Sequence, residues 1–291
     1  MPRPNGLKTK IFLDSGDPSE TEKALSVLGF LDGQTTNPSL IAKNPAAQRR
    51  VSEGKKFSGD EVNAFYLEQV KAVSALIPDG SVSIEVYADH RTGADDMLTQ
   101  AEDMFSWIPN AHIKFPTTAS GLEAAEHAVR KGIRVNMTLV FSQEQAAAVY
   151  AATVGAQKGD VFVSPFAGRL DDKGENGMDL IKNIGTMFSD SDGHVEVLGA
   201  SIRNLDHLFY AIQTETDIVT VPFSILEEWG RAGMALPDAS FHYRPDGLAP
   251  IMYEAIDLHK DWRAYDVAHD LTNVGLEKFA ADWRSIVETS G

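Results

Sequence analysis

Cysteine is absent from the 291 residues, which removes disulfides, thiolate nucleophiles and cysteine-ligated metals together. No apolar run approaches the roughly 20 residues that span a bilayer, and the opening stretch MPRPNGLKTK lacks the apolar core of a signal peptide. A cytoplasmic protein with no membrane partner is therefore expected. Positive charge is scarce as well: 26 lysines and arginines stand against 42 acidic residues, a formal net charge of -16. A field of that sign repels phosphate polymers, which argues against nucleic acid as a partner. A small anionic substrate remains compatible with it if a few arginines converge on one cleft. There is no GxGxxG after the first strand, no close internal repeat, no low-complexity tract and no Pro/Gly/Ser-rich linker. Residues 1–291 are read as a single domain.

What the chain does have is alternation. KIFLDS, GQTTN, SVSIEVYA, HIKFP, IRVNMTLVF, DVFVSPF, HVEVLGASI and DIVTVPFS read as strands, and amphipathic segments lie between most of them. PSETEKALSVLG opens with Pro18 and acidic residues and stops at Gly29, while ASGLEAAEHAVRKG closes with basic residues and Gly132. Eight such units closing on themselves make an α/β fold, the TIM (β/α)8 barrel; an open doubly wound sheet is the competitor, and the strand count favours closure. From about 235 to 291 the rhythm stops and the chain reads as a helical extension. Its stripe Leu276, Phe279, Trp283 and Ile286 is read as packing over the barrel, with a homo-oligomer contact as the alternative. GRLDDKGENG, after the sixth strand, reads as a loop.

One residue sits oddly in this pattern. Lys114 stands between isoleucine and phenylalanine in the fourth strand, so either it snorkels to a surface or the fold needs an amine there. Its neighbours in strand order favour the second reading, because carboxyl ends of barrel strands share one cleft. Asp14 ends the first strand, Asn37 the second, and Glu85 lies on the third; Asn136 and Thr138 share a face of the fifth. Ser164 and Phe166 share a face of the sixth with Arg169 beyond, and Ser201 and Arg203 do the same on the seventh. A desolvated lysine can fall to a pKa of about 7–8, attack a ketone and form a Schiff base, an electron sink for carbon–carbon cleavage. Asp14 and Glu85 are the candidates for moving the hydroxyl proton and for handling water. Arg169 and Arg203 stand late in the strand order, where barrels often bind phosphate. Plainer readings exist for each: a buried Glu85–Lys114 ion pair, surface ion pairs for the arginines, a turn at Asn37, a small residue at Ser164, and a structural His112. Glu85, Asp89 and His90 match no metal-ligand spacing.

IFLDSGDPSETEKAL, LDGQTTNPSLIAK, SIEVYA, IKFPTTASGLEA, RVNMTLVFSQEQA, VSPFAGRLDD, LGASIRN and LEKFAADW together resemble the transaldolases over nearly the whole chain. The resemblance implies a class I aldolase barrel with Lys114 as the Schiff-base lysine and no metal or cofactor. It implies that Asp14 transfers protons and that Glu85 and Thr138 position a water used in imine formation and breakdown. Asn37, Asn136 and Ser164 would contact the hydroxyls of a dihydroxyacetone unit, and Arg169, Ser201 and Arg203 would hold phosphate. The implied activity is transfer of that unit from sedoheptulose 7-phosphate or fructose 6-phosphate to an aldose phosphate, in the non-oxidative pentose phosphate pathway. Fructose 6-phosphate aldolases of the same superfamily resemble glutamine at the position of Glu85 and tyrosine at that of Phe166, and this chain carries the transferase residue at both. Such an aldolase, or a non-catalytic sugar-phosphate-binding barrel, are the alternatives.

Overall fold

The structure is a computed structural model, and it describes residues 2–288. Among the described residues, eight parallel strands close into a barrel in chain order, with the last pairing back to the first. The strands are β1 Lys10–Asp14, β2 Gly33–Thr35, β3 Ser81–Glu85, β4 Ala111–Pro116, β5 Val135–Val140, β6 Val161–Pro165, β7 Val195–Gly199 and β8 Ile218–Val221. Helices follow them: α1 Pro18–Leu28, α2 Pro38–Ala42, α3 Pro45–Ser52, α4 Gly59–Leu76, α5 Ala94–Phe105, α6 Ala119–Arg130, α7 Gln143–Ala152, α8 Ala167–Asp171, α9 Gly177–Phe188, α10 Leu205–Gln213, α11 Phe223–Arg231 and α12 Asp270–Ile286. The expected TIM barrel is thus the observed fold.

Local chemistry explains where these helices begin and end. Asp17 caps α1 by accepting from Ser19 N at 2.9 Å, Pro18 supplies the first helical residue, and Gly29 closes the helix at φ 81°. Asn37 and Asn44, each followed by proline, cap α2 and α3 in the same way. Ser58 and Glu61 form a reciprocal capping box on α4. The stretch expected to be a loop after the sixth strand is helical in its first part, since α8 runs to Asp171 before the chain turns.

Strand alternation divides the barrel into two environments. Val82 and Ile84, Ile113 and Phe115, and Val161 and Val163 are fully buried and belong to the apolar core. The intervening residues of the same strands meet one another inside the barrel. Near its amino end, Lys10 pairs with Glu196 at 2.9 Å and Ser81 contacts His112 Nδ1 at 2.8 Å. Above them the His112 ring stacks on Phe162 at 4.2 Å, and Phe162 meets the edge of Phe12. Gly33 is bare because a Cβ there would lie 2.5 Å from the Phe12 ring. This packed floor leaves the carboxyl end as the open mouth.

The C-terminal segment leaves the helical pattern before recovering it. From 235 to 269 the only helical element is a 3-10 turn, Trp262–Ala264, because Pro237, Pro245, Gly247 and Pro250 interrupt any longer run. This stretch is tied to outer helices through Asn183 Nδ2 to Ile251 O, Gln143 Nε2 to Glu254 O and Trp262 Nε1 to Glu126. Then α12 crosses the mouth, packed along α2 and β5. Thr272 Oγ1 donates to Leu139 O at 2.9 Å, Ser39 bonds Asp282, and the stripe Leu276, Phe279, Trp283 and Ile286 is buried.

Candidate active site

A cavity of about 520 Å³ opens at the carboxyl ends of the strands. That is within the usual range for a small-molecule site. Asp14, Asn37, Lys114, Ser164, Phe166, Arg169, Ser201 and Arg203 all line it, so eight of the residues singled out in the sequence share one space. Lys43, Lys173 and Lys278 are at its wall too, so six cationic side chains face two anionic ones, Asp14 and Asp172, in a chain that is strongly acidic overall. Local sign is therefore opposite to net sign.

Lys114 reaches this cavity from inside the barrel and is 3% exposed. Its Nζ lies 3.1 Å from Glu85 Oε2 and donates to the Thr36 carbonyl, also at 3.1 Å. Register puts Glu85, Lys114 and Asn136 side by side on β3, β4 and β5. The ion pair expected as the plain reading of Glu85 and Lys114 does form, although the approach of Nζ to Oε2 lacks hydrogen-bond geometry. Glu85 Oε2 and Thr138 Oγ1 are both buried without a hydrogen-bond partner among the described residues. Burial pushes the Glu85 carboxyl above its ordinary range, and the Lys114 charge partly offsets that.

Asn136 is fixed on both sides: its Nδ2 donates to Ser83 Oγ at 3.0 Å, and its Oδ1 accepts from Ser164 Oγ at 2.7 Å. A bulge follows it, where β5 spends Thr138 and Leu139 against Ser164 alone on β6. Leu139 takes φ 61° there, an uncommon conformation for a residue with a side chain.

Asp14 stands at the end of β1 and accepts from Thr35 Oγ1 at 2.7 Å. Thr35 has one proton to give, so its 2.6 Å contact with Thr220 Oγ1 has Thr220 as donor, and the two hydroxyls form a relay ending on the carboxylate. Burial raises the Asp14 pKa, while Lys114 and then the Thr35 bond pull it back. The result is a carboxyl biased toward holding a proton, separate from the one that pairs with the lysine.

Arg169 and Arg203 arrive from different loops. Arg169 lies between the rings of Phe166 and Phe279, with its Cζ 5.4 Å from each centroid. Gly275 of α12 makes room for it, since a Cβ there would be 2.7 Å from Arg169 Nη1. Arg203 pairs with Asp172 at 2.8 Å, the surface ion pair that was its plain reading. Ser201 holds φ 59°, and its carbonyl accepts from Gly168 N at 3.0 Å. Gly168 is obligatory in this geometry, because a Cβ would collide with the Arg203 side chain and the Ser201 carbonyl. Asn37 does serve as a helix cap, accepting from Leu40 N at 2.9 Å, and it lines the cavity as well. His112 has the structural role its plain reading gave it: its Nε2 meets Gly159 O at 2.8 Å, and burial drives its pKa to about 3.

Several residues of the site gave no sign in the sequence. Thr36 contributes through its carbonyl, which no side-chain pattern reveals. Thr35 could have been found from strand parity, since it shares a face with Asn37 at the end of its strand, whereas Thr220 has only Ile218 and Pro222 on its face. Phe279 was visible only as part of a packing stripe, yet it also covers Arg169.

Comparison with known proteins adds an independent line. The family model described as Transaldolase/Fructose-6-phosphate aldolase matches residues 11–290. A protein of Dehalococcoides mccartyi named probable transaldolase is 34% identical over 277 residues, covering 95% of this chain and 99% of that protein. One of Sulfurihydrogenibium with the same name is 33% identical over 279 residues, covering 96% and 98%. A third, from Prosthecochloris aestuarii and also named probable transaldolase, is 38% identical over 221 residues, covering 75% and 89%.

Proposed function

The chain belongs to the transaldolase/fructose-6-phosphate aldolase family, and from that premise we propose that it transfers a dihydroxyacetone unit from a ketose phosphate to an aldose phosphate through a Schiff base on Lys114. The donor is sedoheptulose 7-phosphate or fructose 6-phosphate, and the reaction is a step of the non-oxidative pentose phosphate pathway in the cytoplasm. The single observation that carries the reading is the Lys114 amine, nearly fully buried yet facing the cavity, with one carboxylate beside it and a second, Asp14, on the same wall.

Lys114, as the neutral amine, adds to the ketose carbonyl; water leaves and an imine forms. Glu85 Oε2 and Thr138 Oγ1, two buried oxygens without a hydrogen-bond partner among the described residues, hold that water and return it for hydrolysis. Asp14 takes the proton from the hydroxyl on the carbon beyond the bond that breaks. The electrons of that bond pass into the imine, giving an enamine, and the first aldose phosphate departs. The enamine carbon then attacks the acceptor aldehyde, and Asp14 returns its proton to the new hydroxyl. A carboxyl biased toward the protonated form suits this alternation. Asn37, Asn136 and Ser164 contact the hydroxyls of the bound three-carbon unit, and Arg169, Ser201 and Arg203 receive the phosphate, for which a guanidinium fork is suited. Phe166 favours transfer over outright cleavage, since its ring presents no hydroxyl that could hold a hydrolytic water.

Turnover of fructose 6-phosphate measured with and without erythrose 4-phosphate tests the proposal. Dependence on the acceptor is expected. Free dihydroxyacetone released at a comparable rate without acceptor would identify an aldolase instead, and no turnover in either condition would leave a binding barrel.

A further inference from the structure

We propose that Tyr66, on the outer helix α4, is a positioning residue for the Lys114 amine, because its one hydroxyl bonds both residues that touch that amine. The inference rests on Lys114 being the Schiff-base lysine.

The Lys114 Nζ has the Thr36 carbonyl and Glu85 Oε2 as neighbours, each at 3.1 Å. Tyr66 Oη lies 2.5 Å from Thr36 Oγ1 and accepts from Glu85 N at 2.9 Å. The direction of the first bond follows by elimination. Thr36 Oγ1 gives its only proton to Ser83 O at 2.7 Å, so Tyr66 is the donor to it. A directed chain results: Glu85 N–H to Tyr66, Tyr66 O–H to Thr36, and Thr36 O–H to Ser83. It reinforces the join of β2 to β3 just past Thr35, where Thr36 N also donates to Ser83 O at 3.1 Å.

The phenol is itself well held. Tyr66 is 1% exposed, meets the edge of Trp107 at 5.9 Å and leans on Trp283 of α12 at 5.8 Å. Burial raises its pKa, so the donor proton stays in place. A buried tyrosine with both bonds made could be a purely structural feature. What separates the two roles is which groups it bonds. Losing this hydroxyl removes the one group among the described residues that bonds both neighbours of the amine, leaving Thr36 held only to Ser83 and Glu85 only by its β4 ladder, with the phosphate arginines untouched.

Tyr66→Phe removes the oxygen and keeps the ring. Displacement of a reacting group by about 1 Å can cost on the order of a hundredfold. We therefore expect kcat to fall about tenfold to a hundredfold, with KM for the sugar phosphates within about twofold and borohydride-trapped adduct forming slower by the same factor as kcat. Thr36→Val cuts the chain at its next link and should match this, and Thr36→Ser should fall less. A folded Tyr66→Phe protein whose kcat stays within about twofold of the parent, even with a lowered melting temperature, overturns the proposal. If Tyr66→Phe does not fold, equal turnover of Thr36→Val and Thr36→Ser overturns it. A parent protein that traps no adduct on Lys114 overturns the reading of the lysine, and the role of Tyr66 with it, so the two failures are distinguishable.

Discussion

Adding one methyl group at Gly168 should damage phosphate recognition while sparing the chemistry. The Cβ would overlap both the Arg203 side chain and the Ser201 carbonyl. The intrusion is on the order of 1 Å into a normal 3.5–4.0 Å contact. The carbonyl cannot yield cheaply, since Ser201 is already at φ 59° and is bonded to Gly168 N. Arg203 is the mobile partner: it is about half exposed and, among the described residues, its side chain is held only by Asp172 and a 3.4 Å bond to Gly168 O. It therefore moves off the cavity wall, while the overlap with the Ser201 carbonyl is left for a small backbone shift to relieve. Losing one hydrogen bond between charged groups is worth about 1.5–3 kcal/mol. That corresponds to a fall in kcat/KM of about 10- to 150-fold. Overpacking costs a further 1–3 kcal/mol of stability, roughly, so the kinetics must be read where circular dichroism shows Gly168→Ala folded. The assay compares kcat/KM for fructose 6-phosphate with that for unphosphorylated fructose. Only the first should drop; an equal drop in both, or none, refutes the reasoning.

His269 caps α12 by accepting from Leu271 N at 3.1 Å through Nδ1, which only the neutral ring can do. His269→Ala should therefore cost about 1 kcal/mol, or about 2 °C in melting temperature, and His269→Asn should lose less. Burial lowers the His269 pKa from its ordinary 6.5, so the cap contributes fully above that value and is lost as pH falls through the depressed one. The gap between parent and His269→Ala should close in acid, and a gap that widens there contradicts this. For Asp14 the sign is reversed: burial raises its pKa, so its ionised form costs folding free energy once pH rises past the folded-state value. Asp14→Asn should melt higher than the parent at pH 7, with the difference vanishing in acid, while turnover falls about 10²- to 10⁴-fold. A lower melting temperature at pH 7 would refute the sign.

Much of this architecture was legible because period-two alternation is a local signal. SVSIE and HIKFP each place their aliphatic residues outward and their polar residues inward, and that parity brought Glu85 beside Lys114 on paper as it does in the barrel. In the sequence Asn37 reads only as a strand end or a turn and Asn44 carries no reading of its own, because short helices such as α2 and α3, wedged between a strand and a long helix, dilute the βα rhythm. The extension was legible only from Asp270 onward, since the prolines before it let tertiary bonds such as Gln143 to Glu254 choose the path. The Thr36 carbonyl, the Tyr66 hydroxyl and the bulge at Leu139 leave no trace in residue type, because each depends on where two distant segments meet. The same holds for Lys43, Lys173 and Lys278, whose charges converge on the mouth only once loops and α12 are in place.

The most direct test of the central claim is to treat the protein with fructose 6-phosphate and borohydride and to locate the product by peptide mass spectrometry. A reduced adduct the size of dihydroxyacetone on Lys114 is expected. No adduct, or one on Lys43, Lys173, Lys278 or any other lysine, contradicts it.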